Sequence, residues 1–165
     1  MRILGIDPGF ALMGYGVVDQ NGSNYIPVEY GSLSTSKDTP MQDRLKQLYD
    51  GLTDIIARTK PEACSIEELF FNRNITTAIF VAQARGVAIL ACANAGIPVT
   101  EYTPMQIKQG LVGYGKADKK QMQQMTKLVL GLSEVPKPDD TADALAAAIC
   151  HGNVARSQRK IVVRK

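Results

Sequence analysis

An α/β layer built on a mixed sheet is the fold class that this 165-residue sequence predicts. Three observations point there. The first third is rich in strand-like runs punctuated by turn signals. Two long helical patterns follow, each leading into a short apolar run. Beyond about residue 104 the patterning is helical alone.

The elements follow in order. Strands are expected at about 2–7, 12–20 and 24–34, separated by Asp7-Pro8-Gly9 and by Asn21-Gly22, so the three form an antiparallel meander. From Pro40 to about Thr59, Met41, Leu45, Leu48, Leu52, Ile55 and Ile56 recur at helical spacing. Ala63 to Glu67 is a fourth strand, a second helix runs from about Ile75 to Asn94, and Gly96-Ile97-Pro98 stops it before a fifth strand, Val99 to Tyr102. Short helices are expected near 104–111 and 119–130, the second with Asp118 as N-cap and Gln121 completing a capping box. A last helix runs from about Asp140 to His151, where His151 and Gly152 read as a C-terminal stop. Residues 1–153 form one domain, and 154–165 a basic tail.

Composition is that of an ordinary globular chain, which excludes a disordered or fibrous protein. Cys64, Cys92 and Cys150 lie far apart in apolar runs and read as buried thiols rather than a zinc site or a disulfide framework. The chain begins directly in a strand without a signal-like segment, and no apolar stretch of membrane-spanning length is read, so a cytoplasmic location is expected. Net charge is only +3, yet Lys108, Lys116, Lys119, Lys120 and Lys127 face a single acid, Asp118, between Pro104 and Leu130. After His151 every charged residue is basic. Localised basic segments suit a polyanionic partner.

The acids carry the chemistry. Asp7 ends the first strand and Glu67 the fourth. If the fourth strand pairs beside the first, the two carboxylates lie about 4.8 Å apart in strand spacing; beside the third, they are roughly 14 Å apart and share nothing. A right-handed crossover permits the first arrangement but does not select it. Asp140 and Asp143 are three apart, hence on one helix face, ahead of an alanine run whose small side chains allow the helix to lie close on a sheet. Four clustered carboxylates need counter-charge, and magnesium, an oxygen-seeking ion used in phosphodiester hydrolysis, supplies it.

Together these segments resemble the RuvC family of Holliday-junction resolvases, within the ribonuclease H-like superfamily. The resemblance rests on Gly5-Ile6-Asp7-Pro8-Gly9, Gly14-Tyr15-Gly16, Ile66-Glu67-Glu68-Leu69-Phe70, Gln83-Ala84-Arg85-Gly86-Val87-Ala88, Gly113-Tyr114-Gly115 and Asp140-Thr141-Ala142-Asp143-Ala144-Leu145-Ala146. It implies a five-stranded sheet in order 3-2-1-4-5, and Asp7, Glu67, Asp140 and Asp143 as the catalytic metal ligands. It also implies two magnesium ions (Mg2+) per subunit with manganese (Mn2+) as a substitute, four-way junction DNA as substrate, a homodimer, and contact with the RuvA–RuvB branch-migration complex. Ala82 and Thr141 depart from the usual family pattern, and neither is an expected ligand.

For DNA contact the resemblance implies Phe70, in the loop after Glu67, as a base-stacking residue; Arg73 in the same loop is a further expected contact, with Lys108, Lys116, Lys119 and Lys120 as a backbone-binding strip. Phe71 is a second candidate for stacking. Ala82 and Gly86, four apart on the second long helix, offer a close-approach face for a dimer. Three function classes are weighed: a junction endonuclease, a junction-binding protein without cleavage, and a ribonuclease on the same fold. A two-lobed sugar-kinase-like ATPase is excluded by length.

Overall fold

The computed structural model describes residues 1–69 and 75–162. It contains β1 (Arg2–Asp7), β2 (Leu12–Asn21), β3 (Asn24–Ser34), α1 (Met41–Thr59), β4 (Ala63–Glu67), α2 (Ile75–Asn94), β5 (Val99–Tyr102), α3 (Pro104–Val112), α4 (Lys119–Val129) and α5 (Asp139–Val162). Every expected element is present, and all ends but one fall within a residue or two of the sequence reading. The sheet order is β3-β2-β1-β4-β5. β1 to β3 form the antiparallel meander, and β4 pairs parallel to β1. The crossover through α1 thus lands β4 on the free edge of β1.

Strand periodicity sorts the two faces. Leu4, Ile6, Cys64 and Ile66 point to one side, where they pack with Leu48, Leu52 and Ile55 of α1 and Ala84, Ala88, Ala91 and Cys92 of α2. Ile3 and Val18 point to the other, beside Leu145, Ile149 and the alanines of α5, with Ile107 of α3 and Met122 of α4. Each fully buried leucine or isoleucine contributes about 1.5–3 kcal/mol. All three cysteines are buried free thiols, as expected.

α5 lies almost directly on the strands. A Cβ on Gly5 would stand 2.0 Å from the carbonyl oxygen of Ala144, and one on Gly14 2.0 Å from that of Asp140. Small residues on both partners therefore permit the approach. The hydroxyl of Ser65 on β4 donates to the Ala147 carbonyl at 2.8 Å, anchoring the helix on the far side of β1.

Two sequence expectations are corrected. α5 does not end at His151; it continues through the expected tail as far as Val162. Gly152 is not a stop but a close-packing point: a Cβ there would meet the Tyr25 hydroxyl at 2.5 Å, and its carbonyl accepts from Gln20 Nε2 at 2.7 Å. His151, taken for a capping residue, instead meets the Tyr102 hydroxyl through Nδ1 at 3.0 Å. The second correction concerns Thr77–Asn94, which by length and composition is apolar enough to cross a membrane. Gln83 and Arg85 interrupt the run locally, which hid its length. One face of this helix belongs to the core, and Arg85 is ion-paired with Glu101 of β5.

Candidate active site

The site is built by three elements at one end of the sheet. On β1, Ile3, Gly5 and Asp7 share the α5 face; on β4, Ser65 and Glu67 do the same. The parallel register pairs Ile6 with Ile66, so Asp7 and Glu67 stand one position beyond it, side by side at the strand ends. Asp7 is also the register partner of Gly14, the residue on which the Asp140 backbone rests. That contact brings the start of α5 over Asp7, and Asp143 follows one turn later on the same helix face.

Electrostatics show the convergence. Burial, then Glu67, Asp143 and Asp140 in turn, push the Asp7 carboxyl up to about 8. Burial and Asp143 raise Glu67, with Lys108 pulling the other way. Burial also raises Asp143 although Lys119 opposes it. Lys119 is the local counter-charge: its ammonium lies 2.9 Å from Asp139 and 3.8 Å from Asp143. Glu67, Asp143, Lys108 and Lys119 line a pocket with Pro104, Ile107, Met122 and Ala146.

A carboxylate pocket that keeps Asp7 protonated at neutral pH is short of positive charge. Its oxygen-only donors suit magnesium by type. Their present side-chain positions do not yet form a finished cage: among the described residues no group of three or more His, Cys, Asp or Glu is placed to hold an ion.

The remaining expected residues fall as follows. Lys108 is half-buried in the pocket wall, whereas Lys116 and Lys120 are exposed on the loop and first turn beside it. Asp118 and Gln121 form the expected capping box. The Lys119 ammonium turns to the acids Asp139 and Asp143. Sequence reasoning missed its partner Asp139, whose only signal was a second acid next to Asp140. Phe70, Phe71 and Arg73 lie outside the described residues. Gly86 is exposed, and a Cβ there would meet nothing within 4 Å among the described residues, so the core they form does not explain this helical glycine. Ala82 is half-buried on the same face.

A ribonuclease H-like sheet with an acidic pocket at the ends of its central strands, closed by an acid-bearing helix and edged with lysines, defines a phosphodiester-cleaving nuclease of the carboxylate type. The family profile described as crossover junction endodeoxyribonuclease RuvC matches residues 3–151, and the chain belongs to that family. It is 58% identical over 151 residues to the crossover junction endodeoxyribonuclease RuvC of Brevibacillus brevis, covering 92% of this chain and 91% of that one. With the same-named protein of Chloroflexus aggregans it shares 55% over 163 residues, 99% of each chain. Among solved structures, Thermus thermophilus RuvC in complex with a Holliday junction substrate superposes with a TM-score of 0.92 at 38% identity, covering 96% of both chains.

Proposed function

We propose that the protein resolves four-way DNA junctions by paired hydrolytic nicks in strands of like polarity, in recombination and repair, with Asp7, Glu67, Asp140 and Asp143 as its catalytic metal ligands. The observation that carries this reading is the close contact of α5 on Gly5 and Gly14, which gathers the four acids and holds Asp7 at about 8. These four carboxylates would hold two magnesium ions, or manganese in their place, which would supply activation of the attacking water and stabilisation of the leaving oxygen. Asp7 and Glu67 are held rigidly by paired strands, and Asp140 and Asp143 by the first turn of a helix. Lys119 opposes the burial that raises Asp143, and Lys108 does the same for Glu67. Lys116 and Lys120, with Lys108 and Lys119 deeper in, guide the phosphate backbone, while Phe70 and Arg73 contact the opened junction centre.

Paired cutting needs two such sites. The stripe of exposed Ile79, Gly86 and Leu90 with half-buried Ala82 on α2 supports a homodimer, since a two-fold interface presents one patch from both sides. Among the described residues, Gln83 Oε1 and Arg85 Nε on the same helix are buried without a hydrogen-bond partner. The RuvA–RuvB branch-migration complex is the partner expected to deliver the junction. Incubating the protein with labelled four-way, Y-shaped and linear DNA, with and without magnesium, tests the reading. Symmetric cuts confined to the four-way junction and requiring metal are expected; equal cutting of linear duplex contradicts it.

A further inference from the structure

We propose that Tyr114 is a DNA-contact residue, its ring forming with Met105 an apolar edge on the rim of the carboxylate pocket against which one sugar–base step of a junction arm packs. This rests on the nuclease reading above. Both side chains are large and exposed, Tyr114 at 45% and Met105 at 65%. They are neighbours: a Cβ on Gly115 would meet Met105 Cγ at 2.7 Å, so Met105 lies against the backbone next to Tyr114. Met105 directly follows Pro104, which lines the pocket with Glu67 and Asp143.

The ring is held in place from outside its own loop. The Tyr114 hydroxyl donates to Gln121 Oε1 at 2.8 Å, and the same oxygen accepts the Asp118 N–H at 2.9 Å in the α4 capping box. Gly113, at φ 91°, turns the chain out of α3 just before the tyrosine, a conformation that residues with a Cβ rarely adopt. A tyrosine fixed in this way loses little side-chain freedom on binding. Apolar surface on that scale is wasted in water, and its surroundings specify the partner. Lys116 and Lys120, two and six residues further along the chain, are exposed, and Asp118 between them in sequence is occupied in the cap. An exposed ring in a segment with exposed lysines matches a nucleic-acid strand, whose phosphates meet the lysines while a base or sugar meets the ring. Because the hydroxyl is already engaged with Gln121, the contact reads no base edge; it fixes where the strand lies, not which sequence it carries.

The test combines variants with a measurement on the unaltered protein. Tyr114→Ala is expected to weaken four-way junction binding by about five-fold or more, and Tyr114→Phe by no more than about two-fold, with unchanged melting temperatures. In the wild type without added metal, iododeoxyuridine placed along each arm is expected to photocrosslink to Tyr114 at one position near the cut. Tyr114→Ala binding within about two-fold of wild type overturns the proposal, as does a loss in Tyr114→Phe equal to that in Tyr114→Ala, which would assign the effect to the hydroxyl and the cap. Crosslinks that never reach Tyr114 overturn it even if Tyr114→Ala does not fold. A wild type that neither binds nor cuts four-way junctions refutes the nuclease reading instead.

Discussion

Asp7→Asn should stabilise the metal-free protein, increasingly so as the pH rises from about 4 to about 8. Asp7 sits in a site where burial and three neighbouring acids raise it from an ordinary 3.8 to about 8. Between those values the native carboxyl keeps a proton that the unfolded chain has already released. Raising the pH through this window therefore destabilises the fold, the reverse of the behaviour of a salt-bridged aspartate. At about 1.4 kcal/mol for each tenfold in proton affinity, the ceiling on this loss is about 6 kcal/mol. Water entering the pocket and proton sharing with Glu67 and Asp143 lower it, and about 1–3 kcal/mol near pH 8 is expected. For a chain of this length that corresponds to a melting temperature roughly 2–10 °C higher for the asparagine variant. Thermal melts in chelator near pH 4 and near pH 8 measure it: the gap should be wide at the higher pH and close at the lower. Added magnesium should raise the wild type more than the variant. An equal gap at both pH values, or none near pH 8, would refute the reasoning.

Asp7→Asn, Glu67→Gln and Asp143→Asn should each abolish cutting while leaving junction affinity intact, since each removes an oxygen ligand and also some repulsion of phosphate; gel shifts beside cleavage assays check both. Lys116→Ala with Lys120→Ala should weaken binding to all sequences and shallow the slope of log K against log salt by up to about 0.9 per lost phosphate contact, read from titrations at several salt concentrations. Gly86→Leu should weaken dimerisation and paired nicking together, because the exposed α2 face loses its close approach; light scattering and a cruciform plasmid assay follow the two effects.

Much of this architecture was legible in the sequence because its signals are local. Asn21-Gly22 marks the hairpin, Asp118 and Gln121 mark the start of α4, and the spacing from Met41 to Ile56 marks α1. The edge of the meander that β4 joins was not legible from spacing, since both edges satisfy the crossover rule; the family resemblance pointed to β1, where the structure places it. The alanine run after Asp143 announced a helix able to lie close to the sheet. Its counterparts Gly5 and Gly14 carried no such message, because a glycine in a strand does not say what approaches it. The end of α5 was misread for the same reason. Gly152 looks like a stop until Tyr25 and Gln20, more than a hundred residues earlier, are seen to pack and bond there. Lys119 was read with its sequence neighbours as part of a phosphate strip, and only the fold brings Asp139 and Asp143 to its ammonium.

Cleavage of a supercoiled plasmid bearing one extruded cruciform tests the central claim most directly. With magnesium, the wild type should convert it to linear product through two cuts placed symmetrically about the junction within one binding event, and Asp7→Asn should leave it supercoiled. Product that accumulates as singly nicked circles, or linearisation that persists in Asp7→Asn or in chelator, would contradict the account.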